Sequence, residues 1–407
     1  MHPMVKPALR RAWRSLRSVQ FGVAPAHAVV LGPVDRATGA VLGLLDGTRG
    51  TALLRAEARA LGLPDGRLEA LLGRLESAGL LTDAASGRPG KAGPAAGAVD
   101  VALDPLRADL ASLSVVHPEP ERAARTLTAR QALRVQVRGA GRVGSTVAAL
   151  LAAAGVGSVE VLDSGRVEPW ETAPGGLPAE SVGERRATAA RRLVGHWTRE
   201  HGGALRTTGR TDRGDRGGPE GPCGSGGSGR RSGSGEVPRE PGLSLVVVTP
   251  RDGLGAYVPD PVPAEPWIAT GTPHLYAGVL EATGTVGPLV LPGGTACARC
   301  LQEERTDRDP MTPRLLAQWR SGAPHPLPAC DLGLATAVAG LAAAHALAFL
   351  DGDLPASTGT RWEASLPLLE WRAERLRPHP ACPCGAARAG EGERASAVGD
   401  AQDTMAG

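Results

Sequence analysis

Residues 135–163 read VQVRGAGRVGSTVAALLAAAGVGSVEVLD, and this segment constrains the fold more than any other. Val135 and Val137 form an apolar run that enters a turn with Gly139, Gly141 and Gly144 spaced G-x-G-x-x-G. An Ala/Leu-rich helical stretch follows. A second apolar run (Val159, Val161, Leu162) then ends in Asp163, 24 residues after Gly139. A strand, a glycine turn, a helix and a second strand tipped by an acid form a nucleotide-holding unit. Glycine lets the backbone turn tightly and approach a phosphate, the helix N-terminus offers free N–H groups, and the acid reaches the ribose hydroxyls. The alternative is a glycine turn in an α/β core that holds no ligand.

Composition narrows the function classes. With 407 residues, two or three domains are expected. Aromatics make up only 3% of residues, so the core must be built from Leu, Val and Ala. Lys6 and Lys91 are the only lysines. There is therefore no G-x-x-x-x-G-K phosphate loop, and neither lysine reads as a Schiff-base residue. A net charge of +3 is too small to argue for nucleic acid. The basic run Arg10–Arg17 (RRAWRSLR) reads as a solvated helix face. The N-terminus has positive charge but no apolar run behind it, so it does not read as a secretory signal. Residues 332–350 (LGLATAVAGLAAAHALAFL) are long enough to span a bilayer, yet they are Ala-rich and lack basic anchors. A helix buried on a sheet is expected there, with His345 as a core or boundary residue. The expectation is a cytoplasmic protein with no membrane and no nucleic-acid partner.

Along the chain, residues 1–83 form a first unit. An extended stretch, Val19–Leu31, precedes helical patterns at Ala40–Leu45, at Thr51–Leu61, and through Leu68, Leu71, Leu72 and Leu75. The last is the i, i+3, i+4, i+7 stripe of an amphipathic helix. Leu80 and Leu81 begin another extended piece. This is a small α+β winged-helix-like pattern. Residues 84–99 read as a linker, 100–385 as the nucleotide fold, and 386–407 as a polar, disordered tail. Within the fold a helix is expected over 184–197, with a short strand near Leu205. Residues 209–240 are Gly/Ser/Arg-rich and read as a disordered insertion. The sheet resumes at Leu243–Thr249.

Two close cysteine pairs stand out, Cys297-x-x-Cys300 and Cys382-x-Cys384. In a reducing compartment such pairs favour a tetrahedral zinc–thiolate site over disulfides. The alternative is a set of vacant thiols. Cys330 lies just before the long apolar helix. It is either a reactive thiol with a pKa lowered by the helix start or a buried structural cysteine.

Together the glycine turn, Asp163, the segment GTVGPLVLPGGTACARCL and the terminal cysteine pair resemble the ThiF/MoeB-type adenylyltransferases, bacterial relatives of ubiquitin-activating enzymes. The resemblance spans roughly residues 130–385. It implies an α/β, Rossmann-like sheet that binds ATP and Mg2+, adenylates the carboxylate of a peptide or small carrier protein and releases pyrophosphate. It also implies a homodimer. Residues 1–83 resemble the winged-helix-like modules of ribosomal-peptide maturation, which catch a leader peptide by strand addition.

Carried over by position, Gly139, Gly141 and Gly144 match the phosphate loop, Asp163 the ribose acid and Asp252 the metal-associated acid. Arg186 stands where the family has lysine, and the resemblance implies that it contacts the phosphates while Asp252 helps hold Mg2+ at the catalytic centre. The family's second acid is Gly165 here, its Asn falls near Glu171 and its Arg near Pro174. Arg142, Arg185 and Arg186 partly compensate in charge. These departures keep two rivals open. One is a non-catalytic scaffold that presents a leader peptide to a partner cyclodehydratase. The other is an NAD(P)-dependent oxidoreductase, which would use the same glycine fingerprint.

Overall fold

The computed structural model describes residues 1–84, 104–119, 121–200, 242–321 and 327–388. All but the first residue of the expected linker, the insertion, the strand near Leu205 and all but the first residues of the expected tail lie outside these.

The first unit carries strands β1 (Pro3–Val5), β2 (Arg11–Ser15), β3 (Ser18–Phe21) and β4 (Val29–Leu31). Helices α1 (Arg36–Leu44), α2 (Thr51–Ala60) and α3 (Arg67–Ser77) follow, and β5 (Leu81–Asp83) closes the unit. β1 pairs with β5, while β2, β3 and β4 form an antiparallel sheet in that order. Leu68, Leu71 and Leu75 of α3 are buried with Phe21, Leu42 and Leu54, as the leucine stripe requires. The basic run is β2 rather than a helix. All five of its residues are exposed, and Trp13 leans onto α1 at Gly39. An edge strand needs only one partner for its backbone, and Arg11 and Arg14 lie three apart, a helical spacing that carries no strand alternation.

Helices α4 (Arg107–Val116) and α5 (Arg122–Arg130) lead into the second unit. β6 (Arg134–Arg138), α6 (Arg142–Ala153), β7 (Ser158–Leu162), α7 (Arg186–Glu200) and β8 (Leu245–Val248) form its nucleotide-type half. α8 (Leu254–Tyr257), α9 (Glu265–Thr270), β9 (His274–Leu280) and β10 (Thr283–Val290) follow. The chain ends with α10 (Ala298–Arg308), α11 (Thr312–Ser321), α12 (Leu332–Leu350), β11 (Thr360–Ser365) and β12 (Arg372–Arg375).

The seven-stranded sheet runs β12-β11-β10-β9-β8-β6-β7. Pairs β7–β6, β6–β8 and β8–β9 are parallel, and the rest are antiparallel. Val135 and Val137 project onto the face covered by α6, α7 and α12. α12 is long and apolar enough to cross a membrane. Here Leu334, Ala335, Val338, Ala339, Ala342 and Ala346 pack into that core.

Three helix ends meet at one ion pair. Arg130, at the end of α5, donates to both oxygens of Asp351, at 2.8 and 2.6 Å. Its third donor reaches the Ala154 carbonyl at the end of α6, at 3.0 Å. Both charged side chains are only 4% exposed. The first unit also docks on this region. Lys6 is fully buried and its Nζ donates to the carbonyls of His117 and Pro118, at 3.0 and 3.4 Å. The two units are therefore packed together, not merely tethered.

Candidate functional site: a glycine turn, an acid–arginine cluster and a cysteine quartet

Leaving β6, the chain turns at Gly139 with φ +115°. A Cβ at Gly139 would lie 1.9 Å from the Thr249 carbonyl oxygen, and one at Gly144 would lie 2.0 Å from that of Gly139. Both positions need glycine because the turn passes tightly between β6 and the end of β8. Gly141 caps α6 with no side-chain hydrogen bond, so the first amides of that helix remain available to an anion.

Asp163 comes to this turn as the sequence places it. Its Oδ2 accepts the Ala140 N–H at 2.6 Å, which locks the tip of β7 to the loop. Arg186, the first residue of α7, lies beneath it with its side chain 4% exposed. Arg186 Nη1 is 3.8 Å from Asp163 Oδ1 and donates to the Ser164 carbonyl at 2.7 Å. Its Nε donates to Glu171 Oε2 at 2.7 Å. Gly165 makes room for this guanidinium, because a Cβ there would lie 2.7 Å from Nη1.

Glu171 is the hub, and the sequence reading registered it only as a substitution. It is buried, and Oε2 also accepts the Glu168 N–H at 2.9 Å. Oε1 accepts from Arg251 Nη1 at 3.1 Å. Arg251 escaped the sequence reading altogether. It follows Pro250 at the end of β8, one residue before the acid to which attention went. Asp252 itself is exposed, and its Oδ1 accepts the Leu254 N–H at 3.2 Å, capping α8. Gly141, Arg142, Trp170, Glu171, Arg251 and Cys330 surround a cavity of about 210 Å³ beside the turn. Arg142 Nη1 donates to the Cys330 carbonyl at 2.6 Å. Burial, more than any other influence, raises the Cys330 thiol pKa, which favours the structural reading of this cysteine over the reactive one.

The four cysteines of the two pairs converge. Sγ–Sγ distances are 3.8 Å for Cys297–Cys300, 3.7 Å for Cys297–Cys382 and 3.5 Å for Cys300–Cys384, and all four sulfurs lie within 4.8 Å of one another. Four thiolates at the usual zinc–sulfur bond length of about 2.3 Å form a tetrahedron with edges of about 3.8 Å. The quartet therefore fits zinc. Without a metal, hydrogen bonding to Cys297 and then burial push the Cys300 thiol up. The resemblance also implies Mg2+, which on a nucleotide is held by one or two carboxylates together with phosphate oxygens and water. Asp163 and Glu171 face guanidinium groups, whereas Asp252 is exposed and engages only Oδ1, on the Leu254 N–H, so Asp252 is the carboxylate that fits the ion.

A second feature lies on the first unit. β4 is an edge of its sheet, and between it and α3 runs an open groove of about 560 Å³. Val29, Val30 and Leu31 form one wall, and Ala70, Gly73 and Arg74 the other.

This combination of a Rossmann-like turn with an acid at the second strand, a mixed sheet and a split cysteine quartet defines a nucleotide-type α/β protein of the E1-like class. The sequence matches the ThiF family over residues 121–200 and 260–384, half of the chain, and the protein belongs to that family. The fold is similar to that of E. coli MccB in complex with AMPCPP and MccA. That match has a TM-score of 0.64 and 13% identity, covering 95% of this chain and 100% of that one. MccB with ATP matches at 0.61 and 14%, over 94% and 99% of the two chains. The heterocyclase TruD matches at 0.56 and 15%, with 95% of this chain covering 43% of TruD. No curated protein matches the sequence.

Proposed function

We propose that this protein is an ATP-binding member of the ThiF family that activates the carboxylate of a ribosomally made precursor peptide. The observation that carries the reading is the full-length likeness, first unit included, to MccB in complex with ATP and in complex with AMPCPP and MccA. ATP lies over Gly139–Gly144 with its ribose toward Asp163. Arg186 holds Asp163 and Glu171 in place. Asp252 orders the start of α8 beside the phosphates. A peptide carboxylate oxygen bonds to the α-phosphorus as the bridging oxygen leaves with pyrophosphate. Asp252 is the carboxylate that would hold Mg2+ there. Zinc on Cys297, Cys300, Cys382 and Cys384 ties the segment after β10 to the C-terminal end. The leader or carrier segment adds as a strand to β4 and packs on α3. Reduced thiols of this kind suit the cytoplasm.

One observation favours a second reading. Arg186 is buried and engaged by Glu171 and the Ser164 carbonyl, which suits a scaffold that presents a leader peptide to a cyclodehydratase. Family membership leaves the oxidoreductase alternative without support. The test is peptide-dependent exchange of labelled pyrophosphate into ATP, using the full chain and a candidate precursor. Exchange supports activation. Peptide binding without exchange favours the scaffold. Failure of both removes the peptide-maturation reading.

A further inference from the structure

A second charged cavity, of about 400 Å³, opens between α10 and the β11–β12 edge, beside the end of α8. Arg305 and Arg308 of α10, Arg361 of β11 and Arg372 of β12 line it. Three carboxylates line it with them, so its walls carry one positive charge in excess. Ion pairing shows where that excess sits. Glu363 and Glu374 both pair with Arg361, the latter at 2.6 Å. Glu304 pairs with Arg308 at 3.0 Å, and Glu370, outside the lining, lies 3.5 Å from Arg372. Among the described residues, Arg305 is the lining cation with no carboxylate in ion-pair contact; Glu363 and Glu374 act on it only at longer range.

The surroundings of Arg305 do not make up the deficit. Its Nη2 donates to the Tyr257 carbonyl at 3.1 Å, and the same oxygen accepts from Arg361 Nη1 at 3.1 Å. Both guanidinium groups also reach the Tyr257 ring, with their ζ-carbons 5.2 and 4.7 Å from its centroid. A ring face attracts a cation without neutralising it. Arg305 is half-buried, and burial, then the charge of Arg361, pulls its pKa below the ordinary value. A guanidinium nevertheless stays charged, and it offers five donors. The Arg305 Nε and Nη1 make no hydrogen bond among the described residues, and neither is sealed from solvent. An oxyanion entering the cavity would meet these donors already in place, and charge-assisted hydrogen bonds are the strong ones.

We propose that this cavity is a binding site for an oxyanion, a carboxylate or a phosphoryl group, which pairs with Arg305 and completes the charge balance. The site is separate from the glycine turn and stands whether or not a nucleotide binds there. α8 connects the two, since Asp252 caps its start and Tyr257 ends it.

Fluorine NMR of the full chain labelled with 3-fluorotyrosine tests this. Tyr257 and Tyr276 are the only tyrosines, so two signals are expected, and Tyr257→Phe assigns them. Tyr276 is buried in the cluster around the cysteine quartet and serves as an internal reference. Sodium phosphate and sodium acetate are titrated separately at constant ionic strength. The Tyr257 signal should move and saturate with a midpoint of about 1–10 mM, the range of a few charge-assisted hydrogen bonds, while the Tyr276 signal holds. Saturation by either salt supports the site, and the tighter of the two identifies the oxyanion. Arg305→Gln should raise the midpoint about tenfold or more. Arg305→Lys, which keeps the charge, should be intermediate and covers the case in which Arg305→Gln folds poorly. Arg308→Gln should stay within about twofold of wild type, because that charge is already paired with Glu304. No saturable movement with either salt, or an unchanged midpoint in Arg305→Gln, overturns the inference.

Discussion

Replacing Arg130 with methionine should unsettle the whole nucleotide half from a point outside the site. Arg130 makes two short charge-assisted bonds to Asp351 and one to the carbonyl that ends α6. Methionine keeps much of the stem but leaves the Asp351 carboxylate 4% exposed with no cation. Removing one partner of a buried pair costs about 3–5 kcal/mol. Asp351 also sits at the C-terminal end of α12, where the helix dipole disfavours an anion by about 0.3–1 kcal/mol. For a unit of this size, 1 kcal/mol moves the melting temperature by about 2–4 °C, so a fall of roughly 6–20 °C is expected by scanning calorimetry. The double variant Arg130→Met/Asp351→Leu removes both charges and should recover most of the loss. A fall below about 2 °C for the single variant, or a double variant no better than the single, would refute the argument.

Asp163→Ala should weaken ATP binding by about tenfold or more, and equal affinity in calorimetry would remove the ribose contact. Purified protein should carry one zinc per chain by metal analysis. Cys382→Ser/Cys384→Ser should abolish it, and acidification should release it, because thiolates must stay deprotonated to bind. Gly73→Gln should block the β4–α3 groove, cutting peptide affinity at least tenfold by polarisation while stability holds or rises. A Cβ there meets nothing within 4 Å, and a non-glycine residue suits a helix interior. Burial holds the His274 ring down at about 4 from its ordinary 6.5, so the unfolded chain takes up the proton first. Its stability contribution is complete above about pH 6.5 and is lost as pH falls toward 4, by about 3 kcal/mol in all. His274→Gln should flatten the acid limb by that amount, and an unchanged limb in pH-dependent unfolding would exclude this role.

The legible parts of the fold are those where local chemistry and global packing agree. The turn at Gly139–Gly144 announced itself because sterics forbid a side chain there, and Asp163 because the strand delivers it to the loop. The leucines of α3 and the valines of β6 carried clean periodicities. The cysteine pairs were readable as pairs, though only the fold shows their sulfurs in contact. The acid–arginine cluster was not readable, because its logic is three-dimensional. Glu171 ends a short 3-10 turn between β7 and α7, Arg251 follows β8 some 80 positions later, and neither sits in a pattern. Asp252 looked more functional by type, yet a hydrogen bond two residues away turns it to capping. β2 was misread for a related reason. Exposed strands carry no apolar alternation, so their pairing is invisible until a partner strand is found.

Lys6 has a bearing on peptide length. Its ammonium group is seated in the carbonyls of His117 and Pro118, so swinging the first unit away would break both of these charge-assisted hydrogen bonds. If a peptide is held on β4, its anchoring point then keeps a set separation from the glycine turn. The stretch of peptide between the two works as a measuring tape. Deleting residues from it should abolish delivery of the terminal carboxylate abruptly, while lengthening it should cost only the modest entropy of a longer loop.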